Sequence, residues 1–357
     1  MTADTPVQAA RAAERARRFR HPGAYLKLAV LATLLLVPAV VPSFQVMDLA
    51  LKIAIFATLV ASYDILIGYT GIVSFGHAMF FGIGAYTVGL SLGKFGAPTY
   101  GHLALGFALA VAASAVLAFL IGAFSLRVKA IFFAMITLAF AEFALILAVQ
   151  LSAITGGEDG ISPKLPGAFA VAWEGSVLGM PVSGRQVTYY TVLGLCVTLF
   201  LVMARFVASP LGRTLQAIRD NELRAEALGF RPFLYQSIAT SFASVVATIV
   251  GGAYVMWVRY ANPESALGIH IMLDILLMVI IGGIGTLDGG LIGAAFLLTA
   301  QQLLPNLRAA GAALFPGSDL VQRLTDRWLL YFGILFILVV FFFPKGVIGS
   351  LRRSPRR

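Results

Sequence analysis

The feature that most constrains this chain is a series of long apolar runs containing few charged residues. A helix needs roughly 20 apolar residues to cross a bilayer core about 30 Å thick, whereas a barrel strand needs only about 10. The runs here are of the longer kind and lack the alternation of polar and apolar residues that barrel strands show. They predict an all-α integral membrane protein, a polytopic helical bundle. The ten runs lie near residues 26–41, 49–67, 74–92, 103–124, 130–151, 187–203, 235–258, 271–284, 291–304 and 328–343.

The composition excludes the soluble classes of protein. Of the 357 residues, 59% are apolar and 12% are charged, whereas ordinary soluble domains have about 45–50% apolar and about 25% charged residues. Such a chain has too little charge to cover a water-facing surface of its own size. A soluble enzyme, a nucleic-acid binder and a disordered protein are therefore excluded. Several runs are short or interrupted by glycine, so we expect eight to ten spans.

The basic residues predict the orientation of the spans. The net charge is +10, from 26 Lys and Arg against 16 Asp and Glu, and basic residues cluster between the runs, as cytoplasmic loops require. Residues 1–24 and 347–357 form basic tails, so we expect both termini in the cytoplasm and an even number of spans. Residues 25–346 then form a single transmembrane domain. The first run is followed by further spans and lacks a small-residue cleavage site, which favours a retained helix over a secretory signal.

Two connections are too long to be simple turns. Ten spans from a cytoplasmic start place residues 152–186 outside and residues 206–234 inside. In the inner connection, Pro210 near a start and Gly229 just past an end frame a short helix. Apolar residues such as Leu215 alternate with charged ones there, which predicts an amphipathic helix parallel to the membrane. Docking of a cytoplasmic partner and contact with lipid headgroups are both open for this helix.

Motifs for catalysis or cofactor binding are missing from the sequence. Cys196 is the only cysteine and the four histidines are scattered, which argues against an intrachain disulfide and against a metal site. The chain has no P-loop, no complete dinucleotide fingerprint, no serine nucleophile elbow and no His-Glu-x-x-His motif. We therefore expect no bound cofactor, no metal and no enzymatic activity. If transport depends on ATP hydrolysis, another subunit must supply it.

Four ionisable residues fall inside the apolar runs: Lys52, Asp64, Glu142 and Asp274. Such a group costs about 2.5–3.5 kcal/mol at the bilayer centre, so it usually faces a pathway or a partner. Glu142 lies at mid-span and is expected to face the bundle interior, as a structural hydrogen-bond partner or as part of a transport path. Lys52 lies three residues into its span, where snorkelling to the interface explains it better than a transport role does. Asp64 and Asp274 lie near span ends, where solvation of the helix end explains them as well as a transport role does.

Glycine clusters are the strongest internal signal. One surrounds Ser74-Phe75-Gly76-His77, and the other lies within residues 282–293. Glycine-interrupted helices in the two halves of a transporter often line the substrate site, although close helix packing explains glycines equally simply. His77 fits a packing role better than a pathway role. The candidates for a translocation path are Asp64, Gly71, Ser74, Phe75, Gly76, His77, Gly82, Gly84, Glu142, Gly282, Gly283 and Gly285.

The segment from Gly68 to Tyr86 resembles the glycine-rich signature of LivM-type permeases, the membrane subunits of ABC importers for branched-chain amino acids and related solutes. Three further stretches support the resemblance in the expected order: residues 155–161, residues 217–229 and residues 281–290. The resemblance covers roughly residues 49–346.

The resemblance implies several partners and a site for one of them. It implies a second, LivH-like permease, two cytoplasmic ATPases that use ATP and Mg²⁺, an external solute-binding protein and a bacterial cytoplasmic (inner) membrane, with no nucleic acid. The inner connection then resembles a loop that docks into an ATPase. Ala225 and Gly229 keep the spacing of the general motif Glu-Ala-Ala-x-x-x-Gly, while Leu223 and Arg224 replace its first two residues. The implied coupling residues are Gly212, Arg213, Arg219, Asp220, Glu222, Ala225, Glu226 and Gly229.

The substrate is not specified by these motifs, because the binding protein does most of the selection in such systems. A branched-chain amino acid is the default, and urea, amides and aromatic acids are open. The alternative function is a secondary transporter or channel that works without ATPases and uses Asp64 or Glu142 as a proton or ion site. A membrane-embedded enzyme is a third, weaker reading.

Overall fold

The computed structural model describes residues 22–40, 43–94, 96–125, 130–177, 180–306, 327–344 and 346–351. By its internal contacts the chain divides into two units, residues 1–51 and residues 52–357. The first unit contains helix α1 (Pro22–Val40), which carries Pro38 in its interior, and the start of helix α2 (Phe44–Asp64). Most of the N-terminal basic tail lies outside the described residues.

The second unit is built almost entirely from helices. After α2 come a π-helix, π1 (Ile65–Thr70), α3 (His77–Lys94), α4 (Tyr100–Ser125), α5 (Ala130–Gln150), the short α6 (Ser152–Thr155), the strands β1 (Glu174–Val177) and β2 (Met180–Ser183), α7 (Gly184–Ala208), α8 (Pro210–Asp220), α9 (Glu222–Ala227), α10 (Pro232–Val258), α11 (Pro263–Leu267), α12 (Ile269–Gly282), α13 (Leu287–Leu303), α14 (Trp328–Phe342) and α15 (Gly346–Leu351).

A helix occupies each of the predicted apolar runs, which confirms a helical membrane protein. Within the described residues, 7 helical segments are long and apolar enough to cross a bilayer. Three predicted spans are not among them: α1, whose described apolar part is Ala29–Val40, and the helices α3 and α13. The seven qualifying segments are Phe44–Thr70, Tyr100–Ser125, Ile131–Gln150, Gly184–Ala208, Pro232–Val258, Pro263–Gly282 and Leu329–Ser350.

The core of the second unit lies around α10, which packs against α3 and α4. In the most apolar stretch of α10, 67% of the residues are buried, against 28% in α4 and 28% in α7. Backbones approach closely where α3 crosses α10, because a Cβ on Gly84 would collide with the Thr248 carbonyl and one on Gly251 with the Phe81 carbonyl. The ring of Phe81 also packs on Tyr254, with centroids 5.1 Å apart. These contacts make α3 an internal helix although it is less apolar than its neighbours.

Contacts between loops define one end of this unit, called the loop-152 end below. Residues 161 and 261 form an antiparallel bridge, and Lys94 Nζ donates a hydrogen bond of 3.1 Å to the Ala153 carbonyl. The β1–β2 hairpin, which was not predicted, belongs to the same connection and pairs Glu174 with Ser183. The two residues between the strands, Leu178-Gly179, are not one of the dipeptides that indicate a hairpin in a sequence.

Several other described loops meet at a second place, called the loop-209 end because the connection that begins at Ser209 packs there on π1. The segments following π1, preceding α13 and preceding α15 come together there: Gly285 lies against Gly68, and Gly346 against Gly283. Helix α15 packs on α12 and α13. The two groups of loops are those that alternate in the predicted threading of the spans, so the contacts are consistent with that threading.

Candidate functional site

The predicted amphipathic helix of the inner connection is two helices, α8 and α9. Ser209 caps α8, its Oγ accepting a hydrogen bond from the Gly212 amide (3.3 Å), and Pro210 stands at its first turn. The prediction of one continuous helix is wrong at Asn221, which adopts an extended conformation with φ −162°. Its side-chain oxygen accepts from the Arg224 amide (2.8 Å), so a local side-chain bond replaces the helical one and starts α9.

Helix α8 has the two faces that its pattern predicts. Gly212, Leu215 and Ile218 are buried, and α8 packs on π1, α7 and α10. Arg213 and Asp220 are exposed on the other face. The helix is therefore seated on the loop-209 end of the spans by its apolar face, with its charged face left open.

Helix α9 presents apolar side chains outward. Ala225 is buried, whereas Leu223 is 79% exposed and Leu228 is 72% exposed. Glu222 and Glu226 line a cleft of about 700 Å³ with Arg231 and Phe233 at the start of α10. Gly229 ends the element with φ +88°, a conformation that residues with a side chain rarely adopt. Exposed leucines beside carboxylates form a surface suited to contact with another protein.

Arg219, in the last turn of α8, connects this element to π1. Its Nη1 donates a hydrogen bond to the carbonyl oxygen of Gly68, which lies 151 residues away in sequence. Its Nη2 pairs with the exposed Asp220 carboxylate at 3.1 Å. A Cβ on Gly71 would lie only 2.9 Å from Arg219 Cγ, and Gly71 has φ +75°. A glycine at position 71 therefore meets two requirements: it ends π1 in a left-handed conformation, and it leaves room for the aliphatic part of the Arg219 side chain.

Asp64, which directly precedes π1, connects π1 to the glycine-rich segment of residues 282–293. Its side chain is buried, and its Oδ1 accepts a hydrogen bond of 2.7 Å from the Gly285 amide. A Cβ on Gly68 would collide with that carboxylate oxygen. Gly283 and Gly285, with φ +111° and φ +81°, form the turn between α12 and α13. The glycine clusters, predicted as interruptions of helices, thus include two turns that meet at the loop-209 end.

The Ser74–His77 segment is held by hydrogen bonds inside the bundle. Ser74 Oγ accepts from the Gly76 amide (3.3 Å), and the Phe75 amide donates to Thr137 Oγ1 (3.0 Å). His77 is buried, and its Nε2 lies 2.8 Å from Ser62 Oγ. These bonds support the packing interpretation of His77.

Gly82, Gly84 and Gly282 lie at close backbone contacts. A Cβ on Gly82 would collide with Leu267, and one on Gly282 would collide with Gly289. In these positions the absence of a side chain lets helices or turns approach each other.

The remaining ionisable residues of the spans lie apart from this cluster. Glu142 is partly exposed on α5, and within the described part of the chain its carboxylate has no hydrogen bond or ion pair. Gln301 Nε2 donates to Asp274 Oδ1 at 3.2 Å, which ties α13 to α12. Lys52 is half-buried in α2. Among the described residues, no group of three or more His, Cys, Asp or Glu could hold a metal ion.

An apolar groove of about 330 Å³ lies between α3, α4, α5 and α11. Its walls include Met79, Tyr86, Phe140, Phe143 and Leu267. Glu142 is not among the lining residues, since it stands on another face of α5. The groove offers few polar groups, so it suits an apolar side chain or a lipid tail better than a charged solute.

Several connecting residues were missed by the sequence analysis. Ser62 and Thr137 hold the Ser74–His77 segment, and nothing in their local sequence marks them. At the loop-152 end, Arg259 Nη2 donates to the Phe169 carbonyl (2.8 Å), and burial together with the nearby Arg185 lowers the pKa of Arg259. The Tyr260 hydroxyl donates to the Asp159 carbonyl at 2.9 Å. The connection that follows α5 and the connection that follows α10 are thus joined into one ordered surface.

Comparison with known proteins identifies related chains over most of this length. The family described as the permease component of branched-chain amino acid transport systems matches residues 45–340. The high-affinity branched-chain amino acid transport system permease protein LivM of Escherichia coli is 27% identical over 350 residues, covering 92% of this chain and 77% of the relative. The probable LivM of Methanocaldococcus jannaschii is 26% identical over 318 residues (79% and 86%). BraD of Pseudomonas aeruginosa is 25% identical over 310 residues (82% and 91%). No solved structure matches the chain.

Proposed function

The chain belongs to the family of permease components of branched-chain amino acid transport systems, and from this premise we propose that it is a membrane subunit of an ABC importer in the inner membrane. Its substrates are branched-chain amino acids, the solutes named for its relatives. Its partners are a second, LivH-like permease, two ATPases and an external binding protein. ATP and Mg²⁺ are used by the ATPase subunits, since this sequence has no P-loop.

The observation that carries the proposal is the α8–α9 element. It is polar and exposed on one side, packs on the ends of spans by its other side, and presents Leu223 and Leu228 outward. A secondary transporter has no need of such an element. In an importer, the ATPases contact this element and displace it when they bind and hydrolyse ATP.

The proposal assigns a side of the membrane to each end. The loop-209 end is cytoplasmic, ten spans cross the bilayer, and both termini are cytoplasmic. The loop-152 end faces outward, where the joined connections around Asp159 and Tyr260 give the binding protein an ordered surface. Movement of the spans then exposes the path alternately to the two sides.

Co-purification tests the proposal directly. The tagged chain is extracted from its native membranes in mild detergent, and co-purifying proteins are identified by mass spectrometry. We expect two ATPases and one second permease per chain. A chain that purifies alone and transports solute in liposomes without ATP would overturn the importer function.

Replacement of Gly229 separates the importer from a secondary carrier. Gly229 has φ +88° and open space around it, so Gly229→Leu strains the end of α9 without filling the core. The importer should fold normally and lose most ATP-dependent uptake in proteoliposomes, whereas a secondary carrier would barely respond. Gly194→Leu is the matched control, because nothing lies within 4 Å of a Cβ there and φ is not positive.

A further inference from the structure

Resting on the proposed function, we propose that Arg219 and Asp64 are positioning residues that transmit movement of α8 into both glycine-rich turns at the cytoplasmic ends of the spans. Arg219 transmits it to π1, and Asp64 transmits it from π1 to the turn before α13. The pair acts as one connection, called the Arg219–Asp64 link below.

The first half of the link depends on the π-helix. The last carbonyl groups of any helix have no partner inside it, and the Gly68 carbonyl belongs to this group because the chain leaves the helix at Gly71. The Arg219 guanidinium donates to that carbonyl. A hydrogen bond from a charged donor is about twice as strong as a neutral one. Helix α8 is therefore joined to π1 by a specific bond in addition to apolar packing.

The second half of the link joins two segments that are far apart in sequence. Asp64 immediately precedes π1, and its Oδ1 holds the Gly285 amide at 2.7 Å. Within the described residues its Oδ2 is buried without a hydrogen-bond partner. A Cβ on Gly285 would lie 3.6 Å from Arg219 Nη1, and the Arg219 charge acts on the Asp64 carboxylate. The arginine, the carboxylate and both turns therefore form one cluster.

The backbone of this cluster is also able to change conformation. A single π-helical turn is less favourable than the α-helix around it and is common at functional sites. Gly68 and Gly285 contact each other through backbone atoms, so no bulky side chain has to repack when the two turns shift together. A displacement of α8 by an ATPase then reaches α2 and α3 through π1 and reaches α12 and α13 through Asp64.

The test uses the complete transporter, permease with its partner subunits, in proteoliposomes. Uptake of radiolabelled leucine and ATP hydrolysis are measured in the same preparation, together with the amount of ATPase that co-purifies. In Arg219→Gln we expect full assembly and hydrolysis within about twofold of wild type. Uptake per ATP should fall about tenfold or more, the scale of a lost charge-assisted hydrogen bond. Arg219→Lys, which keeps a charged donor, should recover part of the ratio.

Two further variants separate this link from general structural damage. Arg205→Ala removes an exposed arginine at the end of α7 and should leave uptake per ATP unchanged. The double variant Arg219→Gln/Asp64→Asn should be no worse than the more severe single variant, because both residues act through one connection. Unchanged uptake per ATP in Arg219→Gln, or loss of the ATPases from that complex, would overturn the link. If wild-type uptake itself needs no ATP, the proposed function fails instead.

Discussion

At the residue scale, the ionisable side chains of the spans differ in the partners that they find. Asp64 accepts from a backbone amide of a distant turn, and His77 meets Ser62 inside the bundle. Glu142, by contrast, has no hydrogen bond or ion pair in the described part of the chain. The sequence identified these residues but not their surroundings, because a partner that lies 221 positions away in the chain leaves no local pattern.

Gly84 gives the sharpest residue-scale prediction. In Gly84→Leu, the added atoms would meet the Thr248 carbonyl across the α3–α10 contact, and overpacking of this kind costs about 1–3 kcal/mol or more. We expect a clearly lower midpoint of thermal unfolding in detergent and less protein in the membrane. Gly93→Leu, at an exposed position of the same helix with nothing within 4 Å of a Cβ, should change neither. Equal behaviour of the two variants would mean that α3 and α10 do not approach each other closely.

At the element scale, the sequence of α8 and α9 indicates where the element begins and ends but not where it breaks. Ser209-Pro210 starts α8 and Gly229 follows α9, as the sequence indicates. The break at Asn221 was not predicted, because the helical spacing of apolar residues continues across it. The hydrogen bond from the Arg224 amide to the Asn221 side chain competes with a helical bond, and the spacing of residues does not show which of the two is formed. The hairpin of β1 and β2 was missed for a related reason: four-residue strands give too few alternations to detect.

Leu223 tests the role of the α8–α9 element. It is 79% exposed, and burial of a leucine side chain in a protein contact stabilises that contact by about 1.5–3 kcal/mol. Leu223→Asp should therefore reduce the amount of ATPase that co-purifies with the permease by about tenfold or more. The matched control is Val171→Asp at the loop-152 end, where the side chain is 57% exposed. Equal recovery of ATPase with both variants would remove α9 from the docking surface.

At the scale of the whole molecule, contacts among the described loops of residues 52–357 form two groups. Residues 153, 161 and 261 belong to one group, and residues 68, 219 and 285 to the other. Charge alone predicts a similar sorting through the excess of basic residues on the inner side. The side of the membrane that each group faces stays a prediction.

Cysteine labelling tests the sidedness that we propose. Cys196 is buried, and replacing it with alanine gives a background for single cysteines at two exposed positions, Glu158 and Glu222. A membrane-impermeant maleimide added to intact cells should label Glu158→Cys. It should reach Glu222→Cys only after the membrane is opened. Labelling of both from the same side would contradict the threading of the spans.

The sequence by itself determined where the helices lie and that they belong in a membrane. Hydropathy is a local property, so each apolar run predicts a helix that the structure contains. Capping residues likewise act over a few positions, as at Ser209. Only the tertiary structure decided that Arg219 meets Gly68 and that Asp64 meets Gly285. Those contacts depend on how helices distant in the chain pack, and no local pattern of residues encodes that packing.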